Sequence, residues 1–167
     1  MLKGYITNLG KYNEGMLIGE WISFPTTDYE LDEVFERIGI NEEYEEFFFT
    51  DWENDFGLRL GEYENIEDMN VLGEFLQSLD TYEEKMLKAI LEIESLTVAD
   101  IVVIDFYNYT FYEGMSLEDV AYEIVEECYF TKDTPNIFTR YFDYEAFARD
   151  LGFDGYTETQ YGVIVRY

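Results

Sequence analysis

The spacing of apolar residues predicts strands and a helix in the first third of the chain. Met1–Asn8 and Met16–Phe24 are rich in β-branched and aromatic residues, so they predict two strands joined by a loop at Gly10–Gly15. Asp28 can cap a helix that stops at Gly39 and has apolar residues at i, i+3, i+4 and i+7, namely Leu31, Val34, Phe35 and Ile38. Phe47–Glu53 is aromatic and predicts a third strand.

In the middle of the chain the apolar residues recur at the spacing of an α-helix. From Asn65 onward one helical face carries Ile66, Met69, Leu72, Leu76 and Leu79. Thr81-x-x-Glu84 has the form of a capping box and predicts the start of a second helix. Its apolar stripe consists of Tyr82, Met86, Ile90 and Ile93, with Leu87 and Leu91 beside them. This segment predicts a small helical domain.

The last third combines both periods. Ile101–Tyr112 favours a strand, and Gly114 with Ser116 predicts the start of a helix whose apolar face holds Leu117, Val120, Ala121, Ile124, Val125 and Cys128. Because Cys128 falls on that face, we expect a buried core thiol rather than a reactive one.

Shorter elements close the chain. Pro135 opens a short helical piece, Asp143 caps another that Gly152 ends, and Gly162–Tyr167 predicts a final strand. The fold class predicted from these elements is α+β. Three small units in a row are expected: a strand-rich unit with a helix over 1–61, a helical unit over 62–103 and a second α+β unit over 104–167.

The charge of the chain limits the kinds of partner that it can bind. The 167 residues include 38 Asp and Glu, 10 Lys and Arg and no His, for a net charge of −28. This charge is spread as −10, −9 and −9 over the three predicted units, so no acidic tail accounts for it. Phosphate would repel such a surface, which argues against direct binding to nucleic acid or to an anionic membrane. A basic partner is the natural alternative.

Several kinds of chemistry are excluded or disfavoured by composition. Without His there is no Ser-His-Asp or Cys-His nucleophile system and no His-ligated zinc. One Cys permits no internal disulfide, and neither a leader pattern nor a long apolar run is present. We therefore expect a cytoplasmic protein without cofactor, metal or membrane span. Spreading 28 charges along an elongated chain lowers their mutual repulsion, which favours units in a row.

Local motifs for metal, phosphate or catalysis are weak. Asp51-x-Glu53-x-Asp55, with Glu62 at the twelfth position, resembles a calcium loop, but Phe56 stands where that loop requires Gly. The glycines near Lys11 lack phosphate-loop spacing. With 38 acids some carboxylate pair always looks suitable for hydrolysis, so that signal carries little weight, and we expect no enzyme.

The distributed charge has a quantitative counterpart in DNA. Duplex DNA carries one negative charge per about 1.7 Å of axis, so 28 charges correspond to roughly 48 Å or about 14 base pairs, and a two-fold dimer to roughly 28. Two simpler interpretations of the acidity are solubility and adaptation to high salt. Self-repulsion at this charge is costly, which favours a use for the carboxylates as substitutes for phosphates.

Two stretches resemble a known family. The first is Asn8-Leu-Gly-Lys-Tyr-Asn-Glu-Gly15, continuing to Gly19-Glu-Trp-Ile-Ser-Phe-Pro25, and the second is Tyr141-Phe-Asp-Tyr-Glu-Ala-Phe-Ala-Arg-Asp-Leu151. Both resemble ArdA-type antirestriction proteins in sequence and order. Length and acidity agree with that family over essentially the whole chain.

The resemblance implies a function for the chain. ArdA-type proteins are DNA mimics carried by mobile genetic elements such as conjugative transposons, and they inhibit type I restriction-modification enzymes by filling the DNA-binding groove. They are elongated homodimers without catalytic activity. Their acidic-hydrophobic antirestriction motif would lie around Ala121–Asp133 in this chain, through Glu123, Glu126 and Glu127. Exposed aromatic residues or the apolar C-terminal strand are candidates for the dimer surface.

The expected partner-binding residues are carboxylates in two segments, which would form a discontinuous negative stripe. They are Glu62, Glu64, Glu67, Asp68, Glu74, Asp80, Glu83 and Glu84 in the middle, and Glu118, Asp119, Glu123, Glu126 and Glu127 beyond. The competing interpretation is an acidic interaction module that does not mimic DNA, such as a chaperone for a basic protein. A carboxylate-based hydrolase comes third.

Overall fold

The computed structural model describes all residues from Met1 to Tyr167. Its six strands are β1 (Leu2–Asn8), β2 (Gly19–Ser23), β3 (Phe47–Asn54), β4 (Tyr109–Glu113), β5 (Thr157–Thr159) and β6 (Gly162–Arg166). Its eight α-helices are α1 (Leu9–Asn13), α2 (Asp28–Ile38), α3 (Ile66–Ser78), α4 (Thr81–Ile93), α5 (Val98–Ile101), α6 (Leu117–Ile124), α7 (Asn136–Arg140) and α8 (Tyr144–Phe153). The predicted α+β class is confirmed.

The chain packs as two compact units. The first comprises Met1–Leu79 and Leu96–Ile104, and the second comprises Asp80–Ser95 and Asp105–Tyr167. Helix α3 thus packs within the first unit and α4 within the second. The division into three units in a row and the elongated form stay predictions. No helix has the length and apolarity needed to cross a bilayer.

The sheet of the first unit has β1 in its centre, with β2 and β3 antiparallel on either side. A bulge lies in the β1–β3 pairing, where Tyr5 faces Asp51 and Ile6 faces Phe49. The predicted strands at both ends of the Gly10–Gly15 loop are confirmed, although α1 occupies part of that loop. Aromatic rings fill the core beneath the sheet, with Phe49 and Trp52 centroids 4.3 Å apart.

Asn8 joins three elements of this unit. Its side-chain oxygen accepts a hydrogen bond from the Lys11 backbone N–H at 3.0 Å and so caps α1. Its side-chain nitrogen donates to the carbonyls of Ile38 at 3.2 Å and Gly39 at 3.1 Å, at the end of α2. Asn8 is fully buried, so all of these bonds replace water.

Two predicted N-caps lie one residue from the observed ones, whereas the predicted Asp143 cap and the predicted Gly39 stop are confirmed. Helix α2 is capped by Thr27 rather than Asp28, because Thr27 and Glu30 form a reciprocal capping box. Helix α4 is capped by Asp80 with Glu83, not by Thr81 with Glu84. Asp80 accepts hydrogen bonds from two backbone N–H groups of the first turn, and Glu83 accepts from the Asp80 N–H at 2.9 Å.

The sheet of the second unit has β6 in its centre, with β4 and β5 antiparallel on either side. Helices α6 and α8 pack together around a core of Val120, Ala121, Ala148, Leu151 and Val163. On α4, the Tyr82 hydroxyl donates to the Phe111 carbonyl at 2.8 Å. The predicted C-terminal strand is therefore buried in the middle of a sheet, where it has no free edge for a dimer contact.

The predicted strand at Ile101–Tyr112 is wrong over most of its length. Helix α5 ends at Ile101, a short 3₁₀ turn covers Phe106–Asn108, and only Tyr109 onward is strand. Of the β-branched run at 101–104, only Ile101 is helical, as the last residue of α5, whose first turn is held by the Thr97–Asp100 capping box; Val102 and Val103 form a turn.

The predicted burial of Cys128 is also wrong, since its side chain is exposed. Helix α6 ends at Ile124 and a π-helical turn follows over Val125–Tyr129. Its i→i+5 bond joins the Phe130 N–H to the Val125 carbonyl at 2.9 Å. The wider turn changes the angle between successive side chains, so Cys128 leaves the apolar face on which Val125 is still buried.

Candidate partner-binding surface

All carboxylates of the chain reach the surface. The buried polar or charged residues are Thr7 and Asn8, so none of the 38 Asp and Glu side chains belongs to a core. Burying an ionised carboxylate without a partner is strongly unfavourable, which explains this placement. The surface of the folded chain therefore carries the whole negative charge of the sequence.

Ion pairs cancel little of this charge. Carboxylates within 4.0 Å of a cationic nitrogen are Glu20, Glu33, Asp55, Glu84, Glu94, Glu113 and Asp150. The closest to a bidentate geometry is Arg37 with Glu20, where two N–O distances are 2.9 Å. Most of the remaining acids face solvent without a basic neighbour, so a basic partner would meet a surface that is largely unneutralised.

Helix α2 of the first unit presents a dense row of acids. Its eleven residues carry five carboxylates, all exposed: Asp28, Glu30, Asp32, Glu33 and Glu36. At 1.5 Å rise per residue the helix is about 16.5 Å long, which gives one carboxylate per roughly 3.3 Å. One strand of B-DNA carries a phosphate per about 3.4 Å of axis. The density of carboxylates along α2 is thus close to that of phosphates in a single DNA strand, although Arg37 in the last turn offsets one of these charges.

A groove of about 430 Å³ in the first unit joins acids that are distant in sequence. Its wall contains Asp28 from α2 together with Glu62, Glu64 and Glu67 from the segment that leads into α3. Its apolar part includes Phe48 and Tyr63, whose rings stack with centroids 6.2 Å apart. The structure thus brings three expected partner-binding residues together and adds Asp28.

The acids around α3 divide into structural and unengaged side chains. Glu64 accepts a hydrogen bond from the Gly61 N–H at 2.7 Å. Glu67 and Asp68 lie in the first turn of α3, where the helix dipole favours negative charge. The carboxylates of Glu62 and Glu74 are exposed and accept no hydrogen bond, which leaves them available to a partner.

The acids around α4, in the second unit, have mainly structural partners. Asp80 and Glu83 form the capping box of the helix. Glu84 pairs with Lys88 one turn later, at 2.5 Å. These three residues stay predicted partner contacts, but their fold roles mean that their loss would also affect α4.

The acids on α6 and the following π turn are mostly exposed. Asp119 is held by Ser116 in a capping box, and Glu118 lies beside it in the first turn. Glu123 is half-buried and raises the pKa of Tyr112, after the larger effect of desolvation. Glu126 accepts a hydrogen bond from the Tyr144 hydroxyl at 2.7 Å, and Glu127 accepts none. The expected antirestriction motif around Ala121–Asp133 thus begins in the second half of α6, includes the π turn with the exposed Cys128 and continues beyond it.

Neutral donors hold several carboxylates in the charged form. Hydrogen bonds from Thr27 lower the pKa of Glu30, and hydroxyl and backbone donors of Thr97 and Ser116 do the same for Asp100 and Asp119. A hydrogen bond from Arg37 is the main cause that lowers the pKa of Glu20. These groups are therefore ionised at neutral pH.

The second unit also has an apolar groove of about 740 Å³. Its lining is mainly aromatic and aliphatic, with Asp143 as its one acid: Tyr129, Phe130, Thr134, Ile137, Phe138, Tyr141, Phe142 and Asp143. Ile137 and Phe138 are each 62% exposed. Contiguous exposed apolar surface of this kind is typical of protein–protein contact sites.

Sequence reasoning missed some residues of this surface. The acids of α2 were not counted among the expected partner-binding residues. The same holds for the exposed glutamates between α2 and β3, which are Glu42, Glu43, Glu45 and Glu46. The high number of acids along the predicted helix was the signal that could have identified α2 as part of the partner-binding surface.

The calcium-like segment does not form a loop between helices. Asp51 and Glu53 are exposed residues of β3, and no cluster of three or more Asp, Glu or Cys side chains is arranged to hold a metal ion.

The surface of the chain thus offers carboxylates and exposed aromatic rings. These groups suit electrostatic attraction to another macromolecule and packing against it.

Comparison with known proteins identifies the family. No curated protein matches the chain. The family model described as Antirestriction protein (ArdA) matches residues 4–165, which is nearly the full length. Both stretches that carry the resemblance lie inside this match. The chain therefore belongs to the ArdA antirestriction protein family, a family of inhibitors.

Proposed function

We propose that this protein inhibits type I restriction-modification enzymes by mimicking B-DNA and occupying their DNA-binding groove. The proposal rests on one observation in a chain of the ArdA family: all 38 carboxylates lie at the protein surface, and few bases neutralise them. A groove built for phosphates presents Lys and Arg, which attract such a surface. Inhibition follows because enzyme and DNA can no longer associate while the groove is filled.

The local spacing of charge supports mimicry over a generally acidic surface. Helix α2 carries carboxylates at about the axial density of phosphates in one DNA strand. Its first residue, Asp28, shares a groove with Glu62, Glu64 and Glu67, so acids from separate segments form one patch. A basic groove would contact such a patch through several side chains at once.

Five of the carboxylates expected to contact the enzyme make no side-chain hydrogen bond or ion pair. They are the exposed carboxylates of Glu62, Glu67, Glu74, Glu118 and Glu127. The other expected residues, which are Glu64, Asp68, Asp80, Glu83, Glu84, Asp119, Glu123 and Glu126, contribute charge while also serving the fold or lying beside groups that do. This division allows charge to be removed without removing caps.

We propose further that the protein acts as a homodimer through the apolar groove around Ile137 and Phe138. Open exposure of these side chains to water is unfavourable, and a second copy of the same surface would cover them. The groove carries a single acid, Asp143, so two negatively charged chains can approach there with little local repulsion. A dimer would double the length of the mimic.

A displacement titration tests the inhibitory function. A type I enzyme is loaded with a fluorescent duplex oligonucleotide, and the protein is added while anisotropy is recorded. The proposal predicts complete release of the oligonucleotide at a defined stoichiometry. Binding of the protein to the enzyme, measured without DNA, must weaken as salt rises, because the contacts are electrostatic.

A matched variant separates mimicry from other effects of acidity. Replacing the five unengaged glutamates at 62, 67, 74, 118 and 127 by Gln removes five charges and no hydrogen bond of the fold. We expect weaker displacement with unchanged thermal stability. Tight binding to the enzyme without any release of DNA would contradict mimicry and would favour an acidic chaperone-like module. Turnover of a substrate would favour the hydrolase.

A further inference from the structure

Tyrosine hydroxyls hold carboxylates of this surface in place. Four such hydrogen bonds are present: Tyr29 to Glu33 at 2.7 Å, Tyr44 to Glu14 at 2.9 Å, Tyr109 to Glu94 at 3.0 Å and Tyr144 to Glu126 at 2.7 Å. In each, the phenol O–H donates and the carboxylate accepts. The chain contains 16 Tyr but 10 Lys and Arg, so phenols are the more abundant donors.

In two of these pairs the carboxylate forms no ion pair. Glu33 and Glu94 also lie within 4.0 Å of Arg37 and Arg166, respectively. Glu14 and Glu126, by contrast, have no Lys or Arg nitrogen within that distance. Each is exposed, and its Tyr partner is half-buried. One of these two pairs lies in each unit of the chain.

The phenol rings are themselves fixed by packing. Tyr144 lies 4.9 Å from Phe142 and 5.1 Å from Tyr122, measured between ring centroids. The Tyr44 ring lies under the Lys11 ammonium at 5.6 Å and against Gly10, where an added Cβ would collide with the ring. Each hydroxyl is thus held by the fold, and it can transmit that order to the carboxylate to which it donates.

We propose that Tyr44 and Tyr144 are positioning residues that preorganise Glu14 and Glu126 for the basic groove of the enzyme without cancelling their charge. This inference rests on the proposed inhibitory function. A Lys or Arg donor would fix a carboxylate equally well, but it would also neutralise it and add a charge that the groove repels. A phenol donates a hydrogen bond and leaves the net charge unchanged.

The expected benefit is a smaller loss of side-chain freedom on binding. A free glutamate side chain must be immobilised when it contacts the enzyme, whereas a held one is already ordered. Removing two such hydrogen bonds should weaken inhibition by about three- to tenfold, because each bond saves part of the cost of ordering one of the two side chains. The dependence on salt should stay the same, because no charge is altered.

The test compares three proteins in the displacement titration. The double variant Tyr44→Phe with Tyr144→Phe removes both hydroxyls and retains both rings. Tyr107→Phe is the matched control, because Tyr107 is 97% exposed and its hydroxyl makes no hydrogen bond. The account predicts a three- to tenfold loss for the double variant, none for the control and parallel salt dependences for all three.

A spectroscopic measurement follows the hydrogen bond itself. Desolvation, followed by the hydrogen bond from Tyr144 to Glu126, raises the pKa of Tyr144 to about 12. Replacing Glu126 by Gln removes the carboxylate, so the pKa of Tyr144 should fall. Nuclear magnetic resonance of the ring-labelled protein, with the Tyr144 signal assigned, measures this shift apart from the other Tyr residues, and a ring that only packs would not produce it.

The outcomes separate this inference from the proposed function. Displacement by the double variant within twofold of the wild-type chain overturns the positioning role and leaves mimicry intact. Equal losses in the double variant and in Tyr107→Phe also overturn it, as does an unchanged Tyr144 pKa in Glu126→Gln. If the wild-type chain releases no DNA, mimicry fails first, and the positioning role fails with it.

Discussion

The two units of the chain present different surfaces. The first carries 20 acids and 4 bases, for a net charge of −16, and its groove combines carboxylates with aromatic rings. The second carries 18 acids and 6 bases, for a net charge of −12, and its larger groove is almost entirely apolar. Both units are acidic enough to attract a basic partner. The second unit also has an apolar surface that suits a hydrophobic contact with another protein.

This difference separates two tasks within one short chain. Carboxylates attract a basic groove over distance, whereas apolar side chains stabilise a contact only after close packing. Placing the apolar groove where a single acid is present keeps repulsion low at the proposed dimer contact. Four sets of substitutions test whether the two units differ in this way, and they are given in order of decreasing effect.

The largest effect is expected at the apolar groove of the second unit. Replacing Ile137 and Phe138 by Asp places two charges in the proposed dimer contact, so self-association should weaken about a hundredfold or more. Sedimentation equilibrium measures the change. Val103→Asp is the control in the first unit, where Val103 is 76% exposed and lies outside the groove, and it should leave the dimer intact. A dimer that persists in the double variant would place the contact elsewhere.

A smaller effect is expected for two helical glycines, one in each unit. A Cβ at Gly73 of α3 would lie 2.6 Å from backbone atoms of Phe24 and Pro25, so Gly73→Ala should lower the free energy of unfolding by about 1–3 kcal/mol. At Gly152 of α8 the nearest atom is 3.9 Å away, so Gly152→Ala should stabilise by about 0.4–1 kcal/mol. Urea denaturation measures both. Equal changes in the two variants would contradict the close packing of α3.

The helix cap of α2 gives a smaller change that depends on pH. Hydrogen bonds from Thr27 lower the pKa of Glu30 from its ordinary value of 4.5. Their stabilisation is therefore complete above that value and is lost as the pH falls through the lowered pKa. The Tm of Glu30→Gln should lie below that of the parent at pH 7, and the two should converge in acid. Glu36→Gln on the same helix removes no hydrogen bond and should show no such convergence.

The smallest effect is expected for a single unengaged acid. Glu74→Gln in the first unit and Glu127→Gln in the second each remove one charge of many, so displacement of DNA should change less than about twofold. A single variant that abolishes inhibition while its melting curve stays unchanged would show that one contact, rather than summed charge, carries the binding.

Much of the fold follows from local patterns in the sequence. The strands near both ends and helices α2, α3, α4, α6 and α8 were predicted because their apolar residues repeat at clear periods. Cap positions were less certain because Asp80-x-x-Glu83 and Thr81-x-x-Glu84 both have the form of a capping box. The π turn after α6 leaves no such pattern, which is why the exposure of Cys128 was missed.

The surface was harder to predict than the fold. The sequence shows how many acids there are, but the shared groove of Asp28 with Glu62 and Glu67 depends on the packing of distant segments.

The stretches that carry the family resemblance include residues that build the fold. Asn8 joins three elements, and Asp143 caps α8 by accepting from the Ala146 N–H at 2.9 Å.

A competition experiment at equilibrium tests whether this protein occupies the DNA site of the enzyme. Binding of labelled duplex DNA to a type I enzyme is measured at equilibrium with several fixed concentrations of this protein. If its carboxylates occupy the DNA site, the apparent Kd for DNA rises in proportion to the protein concentration and saturating DNA restores full binding. A lowered maximum with unchanged Kd, or a Kd that reaches a plateau, would contradict the account.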